Sequence, residues 1–212
     1  MDLKIIYIFL ILPVLASCNG YLEPESMTEL TRNQATRDYD YSKSRVASIY
    51  SDIRSGFSVI GEAMLASACD EAEHSIENSS IQNFNRGTWN QFSNPDAAWD
   101  RCYRAIGKAN TYLVSSDSIN LNKYKYDPDL QEAYKNYRAE LHRWKYEVRL
   151  LRAYFYSELI KRYGGVPLIK TPIVYSPGMR TLRRDSLKTC IRYILDECDS
   201  AASVLPTRYD DN

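Results

Sequence analysis

An all-α fold is predicted for this 212-residue sequence by three observations. Apolar residues recur at helical spacing in several separate stretches. Glycine and proline are few, eight of each. They also fall where helices start and stop: Asn94-Pro95 and Asp127-Pro128 open helices, and Gly164-Gly165 closes one. The length leaves room for one good-sized core or for part of a larger domain.

The N-terminus reads as a segment apart. Lys4 precedes an apolar run, Ile5–Leu15, that is too short to span a bilayer as a helix. It ends in Leu15-Ala16-Ser17-Cys18, so residues 1–17 read as a signal peptide. The small residues before the cysteine resemble a bacterial lipobox, which makes Cys18 the lipidated first residue of the mature chain. The alternative is an ordinary signal peptide with a chance cysteine. Residues 18–36 are polar and read as a tether.

The folded part begins with Val46, Ile49, Tyr50, Ile53 and Phe57, spaced as one face of an amphipathic helix that Gly56 and Gly61 bring to an end. A second short helix is expected over about Glu62–Ala68. The stretch His74–Asn94, HSIENSSIQNFNRGTWNQFSN, is a long polar loop, and loops of that length are functional or mobile. Asn94 caps the next helix with Pro95 at its first position, and Trp99, Cys102, Tyr103, Ile106, Asn110 and Leu113 form its stripe.

A long helix then runs from about Asp129 to Tyr163, with Val148, Leu151, Phe155 and Leu159 on one line and Tyr156, Ile160 and Tyr163 beside them. Val166-Pro167-Leu168-Ile169 continues extended. The last helix opens at Asp185 with Leu187, Ile191, Leu195, Cys198, Ala202 and Leu205 inward, and Pro206 closes it.

One residue breaks this pattern. Arg152 projects into the apolar arc of the long helix, and a buried guanidinium needs carboxylate or carbonyl partners. Asp70 and Glu71 are the first candidates for a structural ion pair with Arg152, and Asp100 is the second. The alternative is a side chain that bends out along its methylenes to water.

Composition excludes several functions. Lys+Arg 27 against Asp+Glu 27 leaves no basic excess for a nucleic-acid backbone. Cys69, Cys102, Cys190 and Cys198 have no metal-ligand spacing, and His74 and His142 are the two histidines, so neither a metal centre nor a His-dependent triad is supported. Those four cysteines read as buried thiols, a disulfide being the alternative in an exported protein. No cofactor is called for. Asp70, Glu71 and Glu73 are the starting point for a glycosidase reading, but their spacing points them in different directions, and solvated acids are the simpler reading.

The loop offers binding chemistry instead. Phe84 and Trp89 can stack on the apolar faces of sugar rings, and Asn83, Asn85, Arg86, Asn90 and Gln91 can bond hydroxyls. The alternative is that Trp89 and Phe92 plug the loop onto the helices.

The segment LRAYFYSELIKRYGGVPLI, Leu151–Ile169, closely resembles a signature of the SusD/RagB-like lipoproteins. A second segment, PDAAWDRCYRAIGKANTYL, resembles a helix of the same family at Trp99, Tyr103, Ile106, Ala109, Asn110 and Leu113; RRDSLKTCIRYILDECDSAASVLP resembles a third. The resemblance implies stacked tetratricopeptide-like helix pairs with long irregular loops, the N-terminal part of a larger SusD-like fold over residues 37–212. It also implies a non-enzymatic surface lipoprotein on the outer membrane. Such a protein captures oligosaccharide, or alternatively peptide, for a TonB-dependent, SusC-like transporter, with ligand sites built partly from loops of this half. A helical-repeat scaffold that binds only a protein is the remaining alternative. The family's acidic export signal is displaced here, since Asn19-Gly20-Tyr21-Leu22 precedes Glu23 and Glu25. Tyr209–Asn212 does not read as a natural domain end, and a helix packing on 185–205 is expected beyond it.

Overall fold

Asp38 starts the first helix, its carboxylate accepting from the Tyr41 amide at 2.8 Å. Helix α1 then runs Tyr39–Tyr50, earlier than the Val46–Phe57 stripe suggests. Ile53 falls past its end, half-exposed. The computed structural model describes residues 37–208 except 55, 57–59, 62 and 174–181. Phe57, Glu62, the 1–17 signal, Cys18, the tether and Tyr209–Asn212 lie outside the described residues.

The expected second helix is a single 3-10 turn, Leu65–Ala68. Within the 74–94 loop a short helix α2, Gln82–Asn85, is formed. Helix α3 covers Trp99–Ser115 and begins without a side-chain cap. Asn94 does not cap it; its side-chain oxygen accepts from the Asp96 amide at 2.9 Å and shapes the turn before it. A short helix α4, Asn122–Lys125, follows. Asp127 caps the 3-10 turn Pro128–Leu130, which leads into the 33-residue helix α5, Gln131–Tyr163. Ser186, not Asp185, caps α6, Leu187–Ala202.

Helix α5 is the central element, and the others lie along it. Tyr163 meets Ala98 and Trp99 at one end of α3, while Arg152 meets Asn110 farther on, so α3 and α5 are antiparallel. Helix α6 is antiparallel to α5 as well: Tyr193 packs on Tyr156 and Glu197 reaches Arg149. Helix α1 closes the other side, Tyr39 stacking on Trp144 and Arg45 bonding Ser115. The result is an all-α stack of helix pairs of tetratricopeptide type, with long irregular connections. Its core holds Ile49, Cys102, Ile106, Tyr112, Val148, Phe155, Tyr156 and Leu159. Among the described residues no helix is long and apolar enough to cross a membrane.

Arg152 is buried, as its position in the apolar arc requires, but its partners are not those expected. Its guanidinium donates to Glu197 at 2.9 Å, to the Asn110 side chain at 2.7 Å and to the Lys170 carbonyl at 3.4 Å. Asp70, Glu71 and Asp100 are exposed and form no ion pair among the described residues. The reason is geometric: α6 lies directly on this face of α5, and the second short segment does not. Glu197 also takes a fork from Arg149, at 3.1 and 3.2 Å. Burial would raise the Glu197 carboxyl, but the bonds from Arg149 and Arg152 outweigh it and hold the group below the usual carboxylate range.

This pair also sets which face of α6 turns inward. Cys190, Tyr193, Glu197 and Ala201 are buried, whereas Leu187, Ile191 and Leu195 are 45 %, 43 % and 56 % exposed. The inward stripe read from the leucines is therefore wrong by about one residue step, roughly 100° around the helix. Cys102 and Cys190 are buried free thiols as expected, but Cys69 is free and exposed.

After α5 the chain runs extended, and its backbone bonds to side chains instead of a sheet. Tyr156 donates to the Ile169 carbonyl at 3.0 Å and accepts from the Ile169 amide at 2.7 Å. Tyr103 donates to Pro167, and Asn110 to Ile169 and Thr171. Asp185 accepts from the Leu168 amide. Gly164 turns the corner at φ 68°, and a Cβ on Gly165 would lie 2.2 Å from the Asp185 carbonyl oxygen.

Candidate ligand-binding loop

The 74–94 loop is anchored by a small apolar cluster of its own. Ile81 is fully buried against Ile60 and Ala63, with Ala68 and Phe84 packed around them. Gly61 and Gly87 have positive φ. Gly87 lets the chain reverse after α2, its amide bonding the Phe84 carbonyl.

Much of the loop's polar chemistry is engaged in holding its shape. Asn85 donates to the Ser67 carbonyl at 3.1 Å, and Arg86 to the Glu77 carbonyl at 2.9 Å. Asn83 accepts from the Thr88 hydroxyl. Asn90 and Ser93 exchange backbone bonds, and the Asn90 side chain accepts from the Phe92 and Ser93 amides. The buried Gln82 donates to His74. The structure thus gives Asn83, Asn85, Arg86 and Asn90 internal partners.

What faces solvent is aromatic. Trp89 is 51 % exposed, its ring 5.7 Å from that of Phe84. Phe92, on the Asn90–Ser93 turn, is 90 % exposed, so it does not plug the loop onto the helices. Gln91 is exposed beside it. The half-exposed indole, backed by the Phe84 ring, can stack on a sugar face, and the exposed Gln91 amide can bond hydroxyls.

Asp96, which sequence reasoning passed over, ties the loop's exit to the stack. It accepts a two-pronged bond from Arg162 at 2.7 and 3.1 Å and pairs with Arg54. Burial pushes its carboxyl up, but the two guanidinium groups win and hold it low. The one signal in the sequence is its place directly after Pro95, in the turn that leads into α3.

Asp70, Glu71 and Glu73, the starting point for a glycosidase reading, are exposed. Among the described residues no group of three or more His, Cys, Asp or Glu could hold a metal ion.

The decisive comparison is with protein families. Residues 21–212 match the SusD-like family described as starch-binding and associating with the outer membrane. The chain belongs to the SusD-like family. Its fold is shared with a SusD-like protein of Bacteroides fragilis, at 24 % identity and a TM-score of 0.59 over 85 % of this chain. A laminarin-binding SusD-like protein matches at 20 % identity and TM-score 0.60 over 81 % of the chain. A SusD-like carbohydrate-binding protein of Bacteroides fragilis matches at 17 % and 0.60, also over 81 %. This SusD-like chain spans 32 %, 35 % and 32 % of those three structures. A search of curated proteins gave no match.

Proposed function

We propose that this chain supplies the N-terminal helical part, residues 37–212, of a lipid-anchored outer-membrane protein. That protein captures oligosaccharide at the cell surface and hands it to a TonB-dependent transporter. It works by binding, without chemistry on its ligand. Membership of the SusD-like family supports the outer-membrane setting, and a laminarin-binding relative of the same fold supports a glycan ligand.

The observation that carries the reading is the exposed Trp89, braced by Phe84 on a loop where Asn83, Asn85, Arg86 and Asn90 have internal partners. Affinity electrophoresis in laminarin and other neutral glucans tests it. Trp89→Ala is expected to weaken binding by roughly 1–3 kcal/mol, the scale of covering one large side chain, with helical content unchanged. Equal affinity of variant and parent, or capture of peptides in place of every glycan, overturns the proposal. Anchoring rests on Leu15-Ala16-Ser17-Cys18, and Cys18→Ala is expected to leave the outer-membrane fraction. Retention of the variant there would remove the anchor from the reading.

A further inference from the structure

At the opposite end of the α3–α5 pair from the loop, a cleft of about 420 Å³ opens between the 116–125 segment and the first half of α5. Its volume lies toward the lower end of the roughly 300–1,000 Å³ usual for small-ligand sites. Three cations, Lys125, Arg138 and Lys145, face one carboxylate, Asp117. Lys145 already grips both Asp117 oxygens at 2.9 Å. Arg138 and Lys125 have no acidic partner among the described residues. The nearby acids of α5 face elsewhere: Glu132 pairs with Lys135, and Glu140 accepts from the Tyr39 hydroxyl.

The charge is local. The whole chain balances 27 basic against 27 acidic residues, so this is not one patch of a generally polyanion-binding surface. The cleft also has apolar wall, Leu121 and Leu141, and the ring of Tyr134. A planar guanidinium beside an aromatic ring and aliphatic side chains suits a ring-shaped ligand that carries an anionic group.

The geometry points to a second ligand site in this cleft, one that takes acidic saccharides through their uronate carboxylate or sulfate ester. Arg138 and Lys125 bind the anion, and Tyr134 with Leu121 and Leu141 covers the sugar ring. This deepens the glycan-capture reading and rests on it.

The test is calorimetric titration of the purified full chain with trigalacturonate, a sulfated disaccharide and a neutral glucan oligosaccharide. The double variant Arg138→Gln, Lys125→Gln changes two exposed side chains and is expected to fold normally. It should lose at least tenfold affinity for an anionic sugar while its neutral-glucan affinity stays unchanged. Binding of the anionic sugar should also weaken as salt is raised, since the contact is partly exposed. A response to trigalacturonate alone assigns the carboxylate, and a response to the sulfated sugar alone assigns the sulfate ester. Binding of neither anionic sugar, or binding that the double variant leaves intact, overturns the inference. So does a chain that ignores both sugars but binds vesicles containing anionic phospholipid. Trp89→Ala separates the two sites: if it abolishes neutral-glucan binding while the anionic sugar still fails to respond, the loop reading survives and this one falls.

Discussion

Tyr156 and Tyr112 are both fully buried on facing helices, yet their hydroxyls do different things. Tyr156 bonds both the amide and the carbonyl of Ile169. Among the described residues the Tyr112 hydroxyl has no bonding partner, and burial pushes its pKa up to about 12. Tyr156→Phe is therefore expected to cost about 1–3 kcal/mol, because it leaves the Ile169 amide without its partner while Asn110 still serves the carbonyl. Tyr112→Phe should be neutral or slightly stabilising, because a buried hydroxyl without a partner is itself unfavourable. Urea denaturation of the two variants checks this, and equal losses would refute it. At this scale the sequence is partly legible. The position of Arg152 in an apolar arc announces its burial, but its partner Glu197 sits 45 residues away on a helix whose inward face the leucines misreport. A buried carboxylate is hidden from any reading that sorts residues by hydropathy.

Among the elements, the corner after α5 is the most constrained. Gly164 needs its positive φ, and Gly165 needs the missing Cβ. Gly165→Ala forces a methyl into the Asp185 carbonyl and should cost about 1–3 kcal/mol, as overpacking does. A thermal melt measures it, and an unchanged midpoint would show that the 182–187 segment can retreat. Long helices with strong stripes, α3 and α5, are evident from spacing. The start of α1 is not, because it depends on the Asp38 cap more than on its apolar pattern. Asn94-Pro95 misleads for a related reason: the same residues that cap helices also build turns. The buried Ile81 at the root of the loop is likewise invisible, because the few apolar residues of this polar stretch follow no helical or strand period.

For the whole molecule, charge placement predicts the response to acid. Glu197, Asp96 and Glu158 all have carboxyls held below their ordinary range, each with burial opposing and arginine or lysine bonds prevailing. Folding thus favours the ionised form. The stability these groups contribute is complete above their unfolded values, about 3.9–4.3, and is lost as pH falls through the lower folded values. Urea midpoints should be flat from pH 7 to about 5 and drop below about 4. Glu197→Gln should be less stable at pH 7 and show a shallower fall in acid. An acid limb as steep as the parent's would show that Glu197 does not contribute to it. The matched family segments acquire a physical meaning from the same bonds. Tyr103, Asn110, Arg152 and Tyr156 come from two helices and converge on one extended stretch, Pro167–Thr171.

That stretch has one more consequence. Val166 and Ile169 are of the β-branched type most prone to strand formation, and an extended apolar segment with free amides and carbonyls invites another chain to pair with it. Here Tyr156 occupies both backbone groups of Ile169, Asp185 the amide of Leu168, and Tyr103 the carbonyl of Pro167, which as a proline has no amide to offer. An incoming strand would have to evict side chains that are themselves rooted in the core. The clamp that joins the helices is therefore also a guard against templated aggregation.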